Sequence, residues 1–233
     1  MPKNTSSDQG CFEVSLPNPP EVSINYPKIR DLPKTLQRPL PTHRIDFLLV
    51  TTSDCEYLSC LAFLNEGSLV KSYHKSFGFF FWGDIGEDET TRRKVAVIQC
   101  ESGSFVKCSG IQTPKALKVL KTTRAVIGVG FCGSLKHEKA KLGDVVVSST
   151  IAINKPTDSG DQESSVNVTS DCIQNNAVRG WRAPLRDPEV DVAVHSDGVF
   201  LSGRVVVGSK QEYDELIERF PDATAFDFGE GAG

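Results

Sequence analysis

The chain has 233 residues, 39% apolar and 24% charged, the balance of an ordinary globular protein with enough apolar surface for one sizeable core. Its formal net charge of −4 leaves no basic excess to track a phosphate backbone, so no nucleic acid partner is expected. No uninterrupted apolar run approaches the ~20 residues of a membrane span, and the N-terminal MPKNTSSDQGCFEV lacks the apolar stretch of a secretory signal.

Residues 1–44 hold eight of the thirteen prolines and few aliphatics, a composition that buries too little surface to order a chain, and are predicted to form a disordered tail. The texture changes at RIDFLLVTT (44–52), a continuous apolar run read as a buried strand. It feeds a helix beginning near SDCEYLSCLAFL, with Ser53 or Asp54 as its cap. SYHKSFGFFFWGDI and KVAVIQCES read as strands separated by the polar turn GEDETTRR. TPKALKVLKTT (113–123) is predicted to be a helix opened by Pro114. RAVIGVGFCG and GDVVVSSTIAI follow as strands, and this alternation defines an α/β domain with a largely parallel or mixed central sheet flanked by helices in three layers.

The polar stretch 154–193 reads as a long insertion or active-site loop region. GVFLSGRVVVG is then a bent strand or strand pair. SKQEYDELIERF is an amphipathic helix with Tyr213, Leu216, Ile217 and Phe220 on one side and Ser209 as cap. A last strand opens in PDATAFDFGEGAG, and the reading is of a domain at 45–233 incomplete at its C-terminus, since a parallel sheet needs a covering helix after such a strand. Seven cysteines without a C-x-x-C pair, several in apolar runs, read as small hydrophobes of a reducing compartment, and the expected location is the cytoplasm. The four histidines show no metal-ligand spacing, so neither metal nor cofactor is expected. Gly143 and Asp144 read as a turn and a loop bond before a strand, and His195 as a polar residue with an alternative place in the pocket lining.

The segments DFLLVTTSDCEYL, VIGVGFCGSLKHEKAKLGDVVVS, LSGRVVVGSKQEYDELIERFPDATAFD and the terminal EGAG, in this order, resemble the nucleoside phosphorylase and methylthioadenosine/S-adenosylhomocysteine nucleosidase superfamily. The resemblance spans about residues 45–233, with the glycine-rich loop and KLGDVVVS its most specific part. It implies cleavage of the bond between a purine and C1′ of a ribose through an oxocarbenium-like transition state. Such chemistry needs a positioned nucleophile, a carboxylate on the ribose hydroxyls, and an acid for the leaving purine.

On that resemblance Glu56 takes the place of the water-activating glutamate, in the first turn of the first helix, where the helix N-terminus favours a carboxylate. The alternative is a glutamate that only complements the helix dipole. The loop with Gly130, Phe131, Cys132 and Gly133 lets backbone N–H groups approach nucleophile and sugar, or else is a tight strand-to-turn transition. Phosphorylases of hexameric type carry arginine at the place of Gly128 and serine or threonine at that of Phe131, so the resemblance favours water over phosphate here. Ser102 and Gly103 fall on the sugar-contacting loop, and Val206 and Val207 on the purine-contacting element, where they are alternatively core residues. Glu230 matches the ribose carboxylate if the alignment is anchored on EGAG; an ungapped count instead places Gly229 there and Phe228 at the family's preceding methionine, with Asp227 as fallback diol ligand.

The family's general-acid aspartate lies on the segment after this strand, beyond Gly233. The implied partner is a purine nucleoside or a methylthioadenosine-like molecule, and the implied assembly a homo-oligomer, commonly a dimer. The competing expectation is a catalytically silent nucleoside-binding or interaction domain of a signalling protein, motivated by Gly229, Val206 and the missing acid.

Overall fold

A computed structural model of the chain describes residues 27–35, 44–65, 67–100, 111–154, 167–168, 192–203 and 209–226. The first sheet grows outward from β1 (Phe47–Thr51), whose FLLVT run buries both faces. It pairs in parallel with β4 (Arg93–Gln99), Phe47 opposite Val95, and with β5 (Ala125–Gly128), Phe47 opposite Ala125. Parallel neighbours need crossovers. One contains α1 (Asp54–Ala62) and the antiparallel hairpin β2 (Val70–His74) and β3 (Gly78–Ile85); the other contains α2 (Thr113–Val119). The strand order is β2-β3-β4-β1-β5. The run FGFFFWG lies across β3 and its N-terminal turn, with Phe80 and Phe81 buried.

Alternation along the parallel strands sorts side chains to two faces. Leu48, Val50, Ala96 and Ile98 pack with Phe80 and with Ala116 and Leu120 of the α2 segment. Val95 and Val97 pack with Phe81, with Cys60 and Leu61 of α1, and with the following Leu64. Helices therefore cover both faces of this sheet. The predicted helix at 113–123 stops at Val119, and the two threonines after it serve other contacts. Thr122 Oγ1 accepts the Ile45 N–H at 3.0 Å, and the Thr123 hydroxyl donates to the Leu120 carbonyl at 2.8 Å.

The second sheet has the order β6-β10-β9-β7-β8, comprising β6 (Gly133–Ser134), β7 (Val145–Asn154), β8 (Asn167–Val168), β9 (Val194–Gly203) and β10 (Ala223–Phe226). β9 runs parallel to both β7 and β10, while β6 and β8 are antiparallel edges. The helix α3 (Lys210–Arg219) is capped by Ser209, whose Oγ accepts the Glu212 N–H at 3.2 Å. Its Leu216 and the C-capping Phe220 seat on Leu135, Ala152, Leu201, Ala223 and Phe226.

The fold is a mixed α/β architecture, with the described strands divided between two five-stranded sheets. Within the predicted tail, Ile29–Asp31 form a 3-10 turn and Leu32 packs against the α1-side cluster. Among the described residues no helix is long and apolar enough to cross a membrane. Cysteine behaviour is mixed: Cys60 is a buried thiol, whereas Cys100 is disulfide-bonded, contrary to its reading as a simple hydrophobe.

Candidate active site

The turn after β1 fixes Glu56. Ser53, in extended backbone at φ −109°, caps α1 and its Oγ accepts the Glu56 N–H at 3.3 Å. The glutamate reciprocates: its Oε2 accepts the Ser53 N–H at 2.9 Å, closing a capping box, and also the Thr52 N–H at 2.8 Å and the Thr52 hydroxyl at 3.0 Å. The other oxygen faces the glycine loop. Val129 extends the β5–β1 ladder by donating to the Val50 carbonyl at 2.9 Å, and the chain then turns so that the Phe131 N–H donates to Glu56 Oε1 at 3.2 Å.

Gly130 makes this approach possible. A Cβ at that position would lie 3.3 Å from Glu56 Oε1, tighter than most real contacts. Glu56 is only 7% exposed. Burial works to raise its pKa, but the donors from Thr52, Ser53 and Phe131 outweigh burial and hold the carboxyl below the ordinary glutamate range. Glu56 is thus a buried carboxylate, charged at neutral pH. Its oxygens differ: Oε2 has three donors and Oε1 one, so Oε1 keeps capacity for a further donor such as water. Burial, with the charge of Glu56, pushes the nearby Cys60 thiol up to about 11, which leaves it inert as a nucleophile.

Among the sequence-predicted site residues, the structure brings together Glu56, Gly130 and Phe131. Cys132 follows, half-buried, and Gly133 enters β6 opposite Phe226. Ser102, Gly103, Val206, Val207, Asp227, Phe228 and Glu230 lie outside the described residues. The elements that precede them can be placed. Cys100, just after β4, donates its N–H to the Thr51 carbonyl at 2.8 Å, so β4 ends beside the end of β1. β9 and β10 run parallel, and β10 ends at Phe226 against the loop. The carboxyl ends of parallel strands, where open α/β sheets bind ligands, therefore lead into the predicted segments.

Thr52 went unread in the sequence, though it supplies two of the four bonds to Glu56. The S-x-x-E spacing of Ser53 and Glu56 is the unread signal that could have found this corner. Asp144 has the structural role read for it. It closes the turn from Lys141, with Gly143 at φ 96°, by accepting the Lys141 N–H at 2.8 Å on Oδ2, and it takes the Ala193 N–H at 3.0 Å on Oδ1. His195 Nε2 sits 2.9 Å from Asp144 Oδ2. This pair ties the N-terminal ends of β7 and β9, away from the strand ends that lead into the site, so His195 is a tie rather than a lining residue.

This mixed α/β arrangement, with its described strands in two five-stranded sheets, is a fold shared with solved nucleosidase structures. The solved structures that share it include the Streptococcus pneumoniae MTA/SAH nucleosidase in complex with 8-aminoadenine, at 16% identity and TM-score 0.55, covering 79% of this chain and 75% of that one. The Neisseria meningitidis 5′-methylthioadenosine/S-adenosylhomocysteine nucleosidase, solved with methylthio-immucillin-A, matches at 16% identity and TM-score 0.54, with 78% and 75% covered. A futalosine hydrolase mutant of Helicobacter pylori matches at 17% identity and TM-score 0.53, with 81% and 79% covered. No family model matches the chain, and no curated protein sequence matches it.

Proposed function

We propose that the chain cleaves the N-glycosidic bond of purine nucleosides or 5′-substituted adenosines, with water rather than phosphate as acceptor. One observation carries this reading: the buried, ionised Glu56 takes the Phe131 N–H of the glycine loop on Oε1. A phosphate would compete for that donor and meet a like charge at contact. Two unit charges ~4 Å apart repel by about 4 kcal/mol at an effective dielectric of 20. Water meets no such opposition and donates to Oε1.

In the proposed reaction Glu56 accepts a hydrogen bond from water and aims its oxygen at C1′. As the C1′–N9 bond lengthens, the fixed carboxylate stabilises the positive charge growing on the sugar. The water oxygen bonds to C1′, its proton passes to Glu56 and on to solvent, and the C1′–N9 electron pair leaves with the purine, which takes up a proton from solvent at N7. Gly130, Phe131, Cys132 and Gly133 present the loop backbone to nucleophile and sugar. By resemblance, Glu230 or Asp227 holds the ribose diol, Ser102 and Gly103 meet the sugar, Val206 and Val207 meet the base, and Phe228, at the family's methionine, is a further substrate contact. A cytoplasmic homodimer acting on methylthioadenosine-like molecules completes the reading.

Nucleoside binding without turnover is the second reading, and one observation favours it. Three of the four hydrogen bonds on Glu56 serve the corner that caps α1, as they would for a purely structural glutamate. Purified protein incubated with methylthioadenosine, adenosine and inosine, with and without phosphate, separates the cases by chromatography of free base. Phosphate-independent release supports hydrolysis, and phosphate-dependent release refutes water as acceptor. Calorimetric binding without release supports the silent domain; neither binding nor release refutes both readings.

A further inference from the structure

Phe131 is 66% exposed, the highest value among the large apolar side chains described. A lone exposed aromatic needs no explanation in itself. What distinguishes this one is its backbone, whose N–H is fixed on a buried carboxylate 75 residues away in sequence. The ring is therefore displayed within one residue's reach of Glu56 Oε1, on a loop whose neighbouring Gly130 has no side chain to intervene.

We propose that the Phe131 ring forms the sugar-side wall of the site, so that it selects intact nucleosides over free bases. The inference rests on the hydrolytic reading and deepens it. A departing base blocks its own face of C1′, so the attacking water enters from the opposite face. Glu56, which holds that water, lies across the sugar from the purine, and the residue whose amide touches Glu56 Oε1 lies on the same side. The phenyl ring then covers C–H groups of the sugar or an apolar 5′ substituent, and removes its own exposed area from water. The purine does not reach it.

The test compares wild type with Phe131→Ala and Phe131→Leu in the full chain, using the nucleoside turned over fastest among methylthioadenosine, adenosine and inosine. The KM of that nucleoside and the inhibition constant of its own free base, adenine or hypoxanthine, are both measured. Phe131→Ala is expected to raise the nucleoside KM about tenfold, the factor that 1.4 kcal/mol represents, with kcat falling less than KM rises. Phe131→Leu recovers part of that loss, and base inhibition moves less than about twofold in both variants. An unchanged KM overturns the proposal. So does base inhibition that weakens as much as KM, since the ring would then lie against the purine. Wild-type protein that neither turns over nor binds a nucleoside overturns the functional reading itself, and is recognised before any variant is made.

Discussion

Two carboxylates in this chain are each gripped by backbone N–H groups, and they sit in different surroundings. Asp144 uses both oxygens inside the fold: Oδ1 takes the Ala193 N–H, while Oδ2 takes the Lys141 N–H and the His195 ring. Burial acts to raise its pKa, but these bonds and the His195 interaction hold it below the ordinary aspartate range. Glu56 is held down in the same way, yet its donors crowd one oxygen and leave the other facing a glycine loop. Depressed acidity alone does not distinguish a tie from a reactive group. What differs is the setting of the oxygen that has a single donor: Glu56 Oε1 faces the glycine loop, whereas Asp144 Oδ1 is spent on the Ala193 N–H that leads into β9.

Glu56→Gln gives the largest expected effect. The amide keeps the size but loses the charge and meets the Thr52 and Ser53 N–H groups with at best one acceptor, so free-base release falls about 10²- to 10⁴-fold in a kinetic assay. Retained turnover would make Glu56 a tie like Asp144. Asp144→Asn breaks the comparison from the other side. Its side chain is only 6% exposed and its bonds are charge-assisted, so the variant loses about 2 kcal/mol of unfolding free energy in urea while turnover per folded molecule stays at the wild-type level.

Gly130→Ala has a smaller effect. The position is not among those with positive φ, so the backbone tolerates alanine, but the new Cβ presses on Glu56 Oε1 from 3.3 Å. A three- to tenfold fall in kcat/KM is expected, about 1 kcal/mol of transition-state stabilisation. The smallest effect is in pH dependence. Both folded pKa values lie below their ordinary values of 4.5 and 3.8, so the stability they confer is present above those values and lost as pH falls through the folded ones. Urea midpoints should therefore drop below about pH 4.5 in wild type, with a shallower slope in each of the two carboxylate variants.

Much of the fold was legible because apolar runs and caps are local signals. FLLVT and KVAVIQ read as buried strands, and Ser209 as the cap of α3, since each pattern lies within a few residues; AVIG, which looks buried as a sequence, forms a strand at the sheet edge with all four residues exposed. Through the family resemblance Glu56 and the glycine loop are expected to converge on one sugar carbon, and the structure brings them together. The direct bond between them was not legible, because it depends on the parallel register of β1 and β5, which sequence does not print. The same holds for the Asp144–His195 tie, set by the β7–β9 register across 51 residues. The disulfide at Cys100 was masked by its setting in an apolar run, where a thiol and a half-cystine look alike.

Residues 129–132 carry the chain out of β5, in the first sheet, and into β6, in the second. The loop opposite Glu56 is therefore also the chain's passage from one sheet to the other. The 3.2 Å bond from the Phe131 amide fastens this link to Glu56, at the start of α1. That amide proton is thus a built-in gauge, whose chemical shift and exchange rate report whether the loop stays seated on the carboxylate.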